Sequence, residues 1–158
     1  MNEMLAIAMK LLSSRSCSER DVRRHLEKEF AALPEVDTHI EESIARLREL
    51  QVINDKRLAE SVAQRYSHKG NRFITQTLKQ KGVADEVIAD VLASLSDEYS
   101  RALDEARRKG SRGNWKSAED VKTGLARFLS GRGFSHEAIK GVMNTLCDEG
   151  FFKVRLIN

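Results

Sequence analysis

The residues of this chain that could do covalent or metal chemistry are few and scattered. His25, His39, His68 and His136 stand singly. None is paired with another His or with Cys at ligand spacing, so no structural zinc site is expected. Cys17 and His25 are near each other in sequence, but nothing around them marks a nucleophile elbow or an oxyanion site. There is no GxxxxGKS/T phosphate loop, and Gly131-Arg132-Gly133 is too short to mean a nucleotide site. Gly133 reads as a helix stop. The carboxylates mostly sit beside Lys or Arg on polar helix faces, where such pairs support the helix. The expectation is a protein that is not an enzyme, with no cofactor, metal or small-molecule substrate.

The cations are a different matter. Residues 61–84 carry Arg65, Lys69, Arg72, Lys79 and Lys81 without a carboxylate. Residues 106–118 carry Arg107, Arg108, Lys109, Arg112 and Lys116, again without one. The first 60 residues, by contrast, hold ten basic and twelve acidic side chains. A charge run is ordinarily a solvated helix face, but natural surfaces mix signs, and two unmixed tracts point to an anionic partner. Lys and Arg can serve a protein's acidic surface or release counterions from nucleic acid. Phe73 and Trp115 are among the aromatics within these tracts. Phe73 reads as core from its spacing with Thr77. Trp115, in a polar stretch, reads equally as a contact residue or a loop anchor.

The elements that must position these charges are helices. Charged residues make up 32% of 158, proline occurs once, and aromatics are 6%, a composition that suits exposed helices. Phe73, Ile74, Thr77 and Leu78 predict one helix over 71–81, with Asn71 as its N-cap and Gly82 as its stop. A second follows over 85–95, with Val87, Ile88, Val91, Leu92 and Leu95 on one side. The pair returns 51 residues later. Leu78, Gly82, Glu86, Ile88, Val91 and Leu95 meet Leu129, Gly133, Glu137, Ile139, Val142 and Leu146. Val83 meets Phe134 and Leu92 meets Met143. A looser copy, without the glycine and with a longer loop, has Leu26 and Phe30 before Ile40, Ile44 and Leu47. A period near 50 means stacked helical repeats, each too small to bury a full core alone.

The chain then divides into three-helix repeats over 1–53, 54–96 and 97–150, with a tail over 151–158. Met4, Leu5, Ala8, Leu11 and Leu12 stripe the first helix. Ser16 with Glu19, and Thr38 with Glu41, are spaced as capping boxes for the next two. Leu33-Pro34 breaks the chain between those two. Asn54 or Asp55 should cap the helix through Leu58 and Val62, and Ser96 the helix through Tyr99, Leu103 and Ala106. Residues 110–115 are the candidate mobile loop. Helices over 118–130 and 135–148 complete the third repeat. Phe151 to Leu156 alternates apolar and charged residues, as a short strand would, but has no partner strand. An extended arm or disorder remain open for it. With two unpaired cysteines, no secretory signal and no membrane-length apolar run, the expected location is cytoplasmic.

Four segments in order resemble the RecX family of regulators of the RecA recombinase. Arg15-Ser16-Cys17-Ser18-Glu19-Arg20-Asp21-Val22 is similar to the family's R-x-x-S-E-x-E-L start. The stretch from Leu47 through Leu50, Ile53, Asn54 and Asp55 to Ala59 is similar to L-x-x-x-x-L-I/N-D-x-x-F/Y-A. Gly70 to Val83 is similar to G-x-x-x-I-x-x-E-L-x-x-K-G, and Arg132-Gly133-Phe134 to the late R-G-F. The chain departs at Thr77, where an acidic residue is common, at Leu58, which replaces an aromatic, and at Glu29-Phe30, which stands for the first repeat's K-G-F/Y turn.

The resemblance implies an all-α molecule, three tandem three-helix repeats in an elongated, curved monomer. It implies a non-enzymatic regulator that lies on the RecA filament on single-stranded DNA. Such a regulator inhibits ATP hydrolysis and strand exchange in DNA repair and the SOS response. Arg65, Lys69, Arg72, Lys79, Lys81, Arg107, Arg108, Lys109, Arg112 and Arg132 would form the surface facing RecA or DNA. The competing reading is a stand-alone helix-turn-helix-like nucleic-acid binder, marked by steep salt dependence on bare DNA. A helical scaffold for some other partner is the third.

Overall fold

The computed structural model describes residues 2–154, and among these every regular element is helical. Three trios follow one another. The first is α1 (Asn2–Ser14), α2 (Glu19–Glu29) and α3 (Val36–Glu49). The second is α4 (Asp55–Arg65), α5 (Asn71–Gln80) and α6 (Asp85–Ser94). The third is α7 (Glu98–Arg112), α8 (Ala118–Gly131) and α9 (His136–Asp148), and a short α10 (Phe151–Val154) ends the described chain. The chain forms two compact units. One holds the described residues up to Val62 together with Thr77–Val91, and the other Ala63–Gln76 together with the residues from Leu92 onward. The middle trio contributes to both.

In the first unit the expected stripes meet. Met4, Ala8, Val22, Leu26, Ile40, Ile44 and Leu47 are buried in one cluster with Cys17 and Ile53. Each such Leu or Ile contributes about 1.5–3 kcal/mol by leaving water. In the second unit Ala102, Ala106, Val121, Leu125, Leu129, Phe134, Ala138, Val142 and Leu146 do the same, closed by Phe151 and Phe152. Gly82 and Gly133 end their helices at φ +86° and +88°, the left-handed conformation in which a Cβ is costly.

Several local expectations are corrected. The cap of α2 is Ser18, not Ser16, and its Oγ accepts from the Asp21 amide at 3.2 Å. Thr38 lies inside α3, which begins at Val36 after Glu35 in the left-handed region. Asp97, rather than Ser96, caps α7, its Oδ1 accepting from the Ser100 amide at 2.6 Å. Asn54 does cap α4, accepting from the Arg57 amide at 3.0 Å. Asn71 is the first residue of α5 and not its cap, because the cap comes from another helix: Glu98 Oε2 accepts from the Asn71 amide at 2.8 Å. The first half of the polar 110–115 stretch is helix. Here α7 runs on through a buried Gly110 to Arg112, and Trp115 Nε1 donates to the Gly110 carbonyl at 2.9 Å, so Trp115 is a loop anchor. The tail is helical over α10, since Phe151 and Phe152 are both core residues and a helical turn can bury two successive side chains. Arg155 and Leu156 lie outside the described residues.

Two joints recur. In the first unit Asp55 of α4 accepts from the Glu19 amide at the start of α2, at 2.9 Å, and Arg20 of α2 donates to the Gln80 carbonyl at the end of α5. In the second unit Glu98 of α7 accepts from the Asn71 amide at the start of α5, and Arg72 of α5 donates to the Ser130 carbonyl of α8 at 3.0 Å. Each joint puts an anion at a helix N-terminus and a cation at a C-terminus, as the helix dipole favours. The helical period thus carries a period of polar joints with it.

The first joint gives a pH-dependent prediction. Arg48 donates to the Glu19 carboxylate, which holds Glu19 below the usual carboxylate range, and burial pushes Asp55 above it. A depressed acid stabilises the fold above its unfolded pKa and loses that contribution as pH falls through its folded pKa. Asp55 runs the other way, its cost being relieved on protonation. Arg48→Ala should therefore cost about 0.5–1 kcal/mol at pH 7, the Arg48 side chain being 54% exposed. The difference from the parent should shrink towards zero below about pH 4, near the ordinary Glu value. Urea unfolding at pH 7 and pH 3.5 checks this. An equal loss at both would assign Arg48 a role other than pairing with Glu19.

Candidate interaction surface

Both basic tracts lose their uniformity once folded. Arg107 at the middle of α7 makes two 2.8 Å bonds to Glu149, which is held below the usual carboxylate range by them. Arg108 sits 3.2 Å from the buried Glu105 one turn back. Lys79, at the end of α5 in the first unit, is exposed and 3.9 Å from Asp85, and Lys81 follows it half-buried. In the second unit Arg65 is exposed at the end of α4, and Lys69 stands 4.6 Å above the Phe73 ring. Phe73 itself packs edge-on to Tyr66 at 5.2 Å and is half-buried, outside the fully buried core that its spacing predicts. Arg72 is committed to the Ser130 carbonyl.

What the second unit does bring together is a groove of about 930 Å³ along α7 and the end of α8. Arg108, Lys109 and Arg112 of α7, and Arg132 just after α8, line it with Phe128. The Lys109 ammonium is 5.5 Å and the Arg132 guanidinium 4.8 Å from the centre of the Phe128 ring. An aromatic face orients a cation without neutralising it. Lys109, Arg112 and Arg132 pair with no carboxylate among the described residues. Asp104 and Glu105 lie on the same wall.

Two residues of this surface were not singled out from the sequence. Phe128 has the spacing of a core residue, and only the fold leaves it half-exposed between two cations. Arg101 is 7% exposed and its guanidinium points at oxygens. Nε donates to the Ser96 carbonyl at 2.8 Å, and Nη1 to those of Lys69 and Ser67 at 2.6 and 3.2 Å. Nη2 donates to Asn71 Oδ1. The available signal was its position, one residue before Ala102 and five before Ala106, on the buried stripe of α7. Among the described residues no group of three or more His, Cys, Asp or Glu could hold a metal ion. No helix among them is long and apolar enough to cross a membrane.

This geometry can be set beside known proteins. The family profile for the RecX second three-helix domain matches residues 54–92. The regulatory protein RecX of Herbaspirillum seropedicae is 32% identical over 142 residues, covering 89% of this chain and 88% of that protein. The chain belongs to the RecX family. RecX of Enterococcus faecalis is also 32% identical, over 150 residues and 92% of this chain. That alignment takes in 55% of the Enterococcus protein, so the chain spans about half the length of this relative. The crystal structure of RecX from Lactobacillus salivarius superposes with a TM-score of 0.73 at 23% identity, covering 92% of this chain and 95% of that one. The helical-repeat fold is therefore that of RecX structures. The segment matched by the profile holds Arg65, Lys69, Arg72, Lys79 and Lys81 of the first basic tract.

Proposed function

We propose that this RecX-family chain binds the filament that RecA forms on single-stranded DNA and lowers its ATP hydrolysis and strand exchange. It does so as a cytoplasmic monomer without catalysis of its own, in DNA repair and the SOS response. The observation that carries this reading is the 32% identity to a regulatory protein RecX across 88% of that protein's length. The helical repeats support it, because units spaced along a helical filament can make similar contacts that add by multivalency. The basic residues Arg65, Lys69, Lys79 and Lys81 on one tract, and Lys109, Arg112 and Arg132 on the other, would face acidic protein surface or DNA phosphate. Arg72 and Arg107 are already engaged within the second unit, with the Ser130 carbonyl and with Glu149, and would join such a surface only with those bonds in place.

RecA's DNA-dependent ATP hydrolysis, measured with this protein well below one molecule per RecA protomer, tests the reading. Strong inhibition is expected. Absence of inhibition, with tight and steeply salt-dependent binding to bare DNA, would make the chain a nucleic-acid binder instead. The triple reversal Arg65→Glu, Lys79→Glu, Lys81→Glu should weaken filament binding at least about tenfold through lost charge complementarity. Its circular dichroism should be unchanged, because none of the three is buried. Unaltered filament binding would remove these residues from the contact surface.

A further inference from the structure

We propose that the groove along α7 and α8 takes an acidic, extended peptide segment of the filament protein, whose carboxylates pair with Lys109, Arg112 and Arg132. The identity of the partner rests on the function proposed above; the chemistry of the segment rests on the groove.

The cations of the groove divide into those already engaged and those that are not. Arg101 spends four of its five N–H donors on three carbonyls and an amide oxygen, and Arg108 is paired with Glu105. That leaves Lys109, Arg112 and Arg132 uncommitted, set against Asp104. Phe128 holds two of the three at fixed positions by its ring face, so their side-chain entropy is partly lost before any partner arrives. A concavity of about 930 Å³ suits a short inserted segment better than a flat face.

The carboxylate on the groove wall favours peptide over nucleic acid. A DNA strand carries a phosphate at every nucleotide and would have to lay some of them beside Asp104, which no cation among the described residues pairs with and where like charges repel. A peptide places carboxylates at chosen residues and can present an amide or hydroxyl donor to Asp104.

The probe is a fluorescein-labelled peptide of about ten residues in which glutamate alternates with glycine, followed by anisotropy against the full chain. The comparison ligand is oligodeoxythymidine of similar charge. Lys109→Glu with Arg112→Glu should weaken peptide binding about tenfold or more, and Lys109→Gln with Arg112→Gln by a smaller factor, both with unchanged thermal unfolding. Lys10→Glu with Lys28→Glu, equal in charge and exposed elsewhere, should change it less than about twofold. Equal losses in the groove and control variants would overturn the proposal, since binding would then follow net charge alone. Tighter binding of the oligonucleotide through Lys109 and Arg112 would overturn it in favour of a nucleic-acid groove. The RecA assay separates the two readings. If the parent protein inhibits hydrolysis and the groove variant inhibits equally well, the groove proposal falls and the proposed function stands. If the parent does not inhibit, the filament protein falls as the source of the segment, whatever the peptide result.

Discussion

Gly70→Ala should destabilise the protein by about 3 kcal/mol or more, a large effect for the addition of one methyl group. The reason is backbone against backbone. A Cβ on Gly70 would lie 2.1 Å from the carbonyl carbon and oxygen of Gly133 and 2.2 Å from the Phe134 nitrogen. No side chain can rotate away to relieve that, so the start of α5 must lift from the α8–α9 turn. Lifting it breaks the Gly70 amide bond to the Arg132 carbonyl at 2.8 Å and the Arg72 amide bond to the Gly133 carbonyl at 3.3 Å. The melting temperature should fall by roughly 6–12 °C, at about 2–4 °C per kcal/mol for a chain of this size. Gly131→Ala is the control. Nothing lies within 4 Å of a Cβ there, so it should be neutral or stabilise α8 by up to about 1 kcal/mol. Similar melting temperatures for the two variants would show that the close approach of Gly70 and Gly133 is not maintained in solution.

Arg101→Met is expected to cost about 2–4 kcal/mol although it keeps an apolar stem in a buried place. Its guanidinium reaches from α7 to the 67–71 segment and satisfies the carbonyls of Ser67 and Lys69, the Asn71 side chain and the Ser96 carbonyl. Removing it leaves acceptors that were turned inward towards a cation. Burial pulls the Arg101 guanidinium below its ordinary pKa, and guanidinium remains charged under such a load where an ammonium can lose its proton. Arg101→Lys should therefore recover less than half of the loss, because one nitrogen cannot fork to both sides. Urea unfolding gives the size, and amide exchange gives the place: Gly70 and Arg72 amides should exchange faster in Arg101→Met. Arg101 and Gly70 hold the same segment, so the double variant should lose less than the sum of the two. Strict additivity would mean that the two act independently.

Most of the helical layout is legible in the chain because a helix face is local information. Residues i, i+3 and i+4 either share an apolar stripe or do not, and Ile40, Ile44 and Leu47 or Leu125, Leu129 and Val121 do. Gly82 and Gly133 are legible for the same reason, a left-handed residue being a property of its own backbone. The caps were less so. Ser16 and Ser18 are equally good acceptors in sequence, and Asn71 is a better one than Gly70. At Asn71 the choice fell to a carboxylate from α7, 27 residues away.

The sequence by itself determined that this protein is a run of helical repeats with its cations gathered in two tracts, and which family it resembles. Only the tertiary structure decided which cations are available. Arg107 and Glu149 are 42 residues apart in the chain and 2.8 Å apart in the fold. A stretch without carboxylates can thus be neutralised by a distant helix, and Coulomb energy follows distance in space. Tertiary structure also explains the departure at Glu29-Phe30. The turns at Gly82 and Gly133 each receive a neighbouring helix, through Arg20 in one and Gly70 with Phe73 in the other. Residues 31–35 of the first repeat are all exposed, so no neighbour presses on that turn as at Gly82 and Gly133, and the left-handed position there is held by Glu35 instead of a glycine. The residue a turn needs depends on what presses against it, and that is fixed only when the chain has folded.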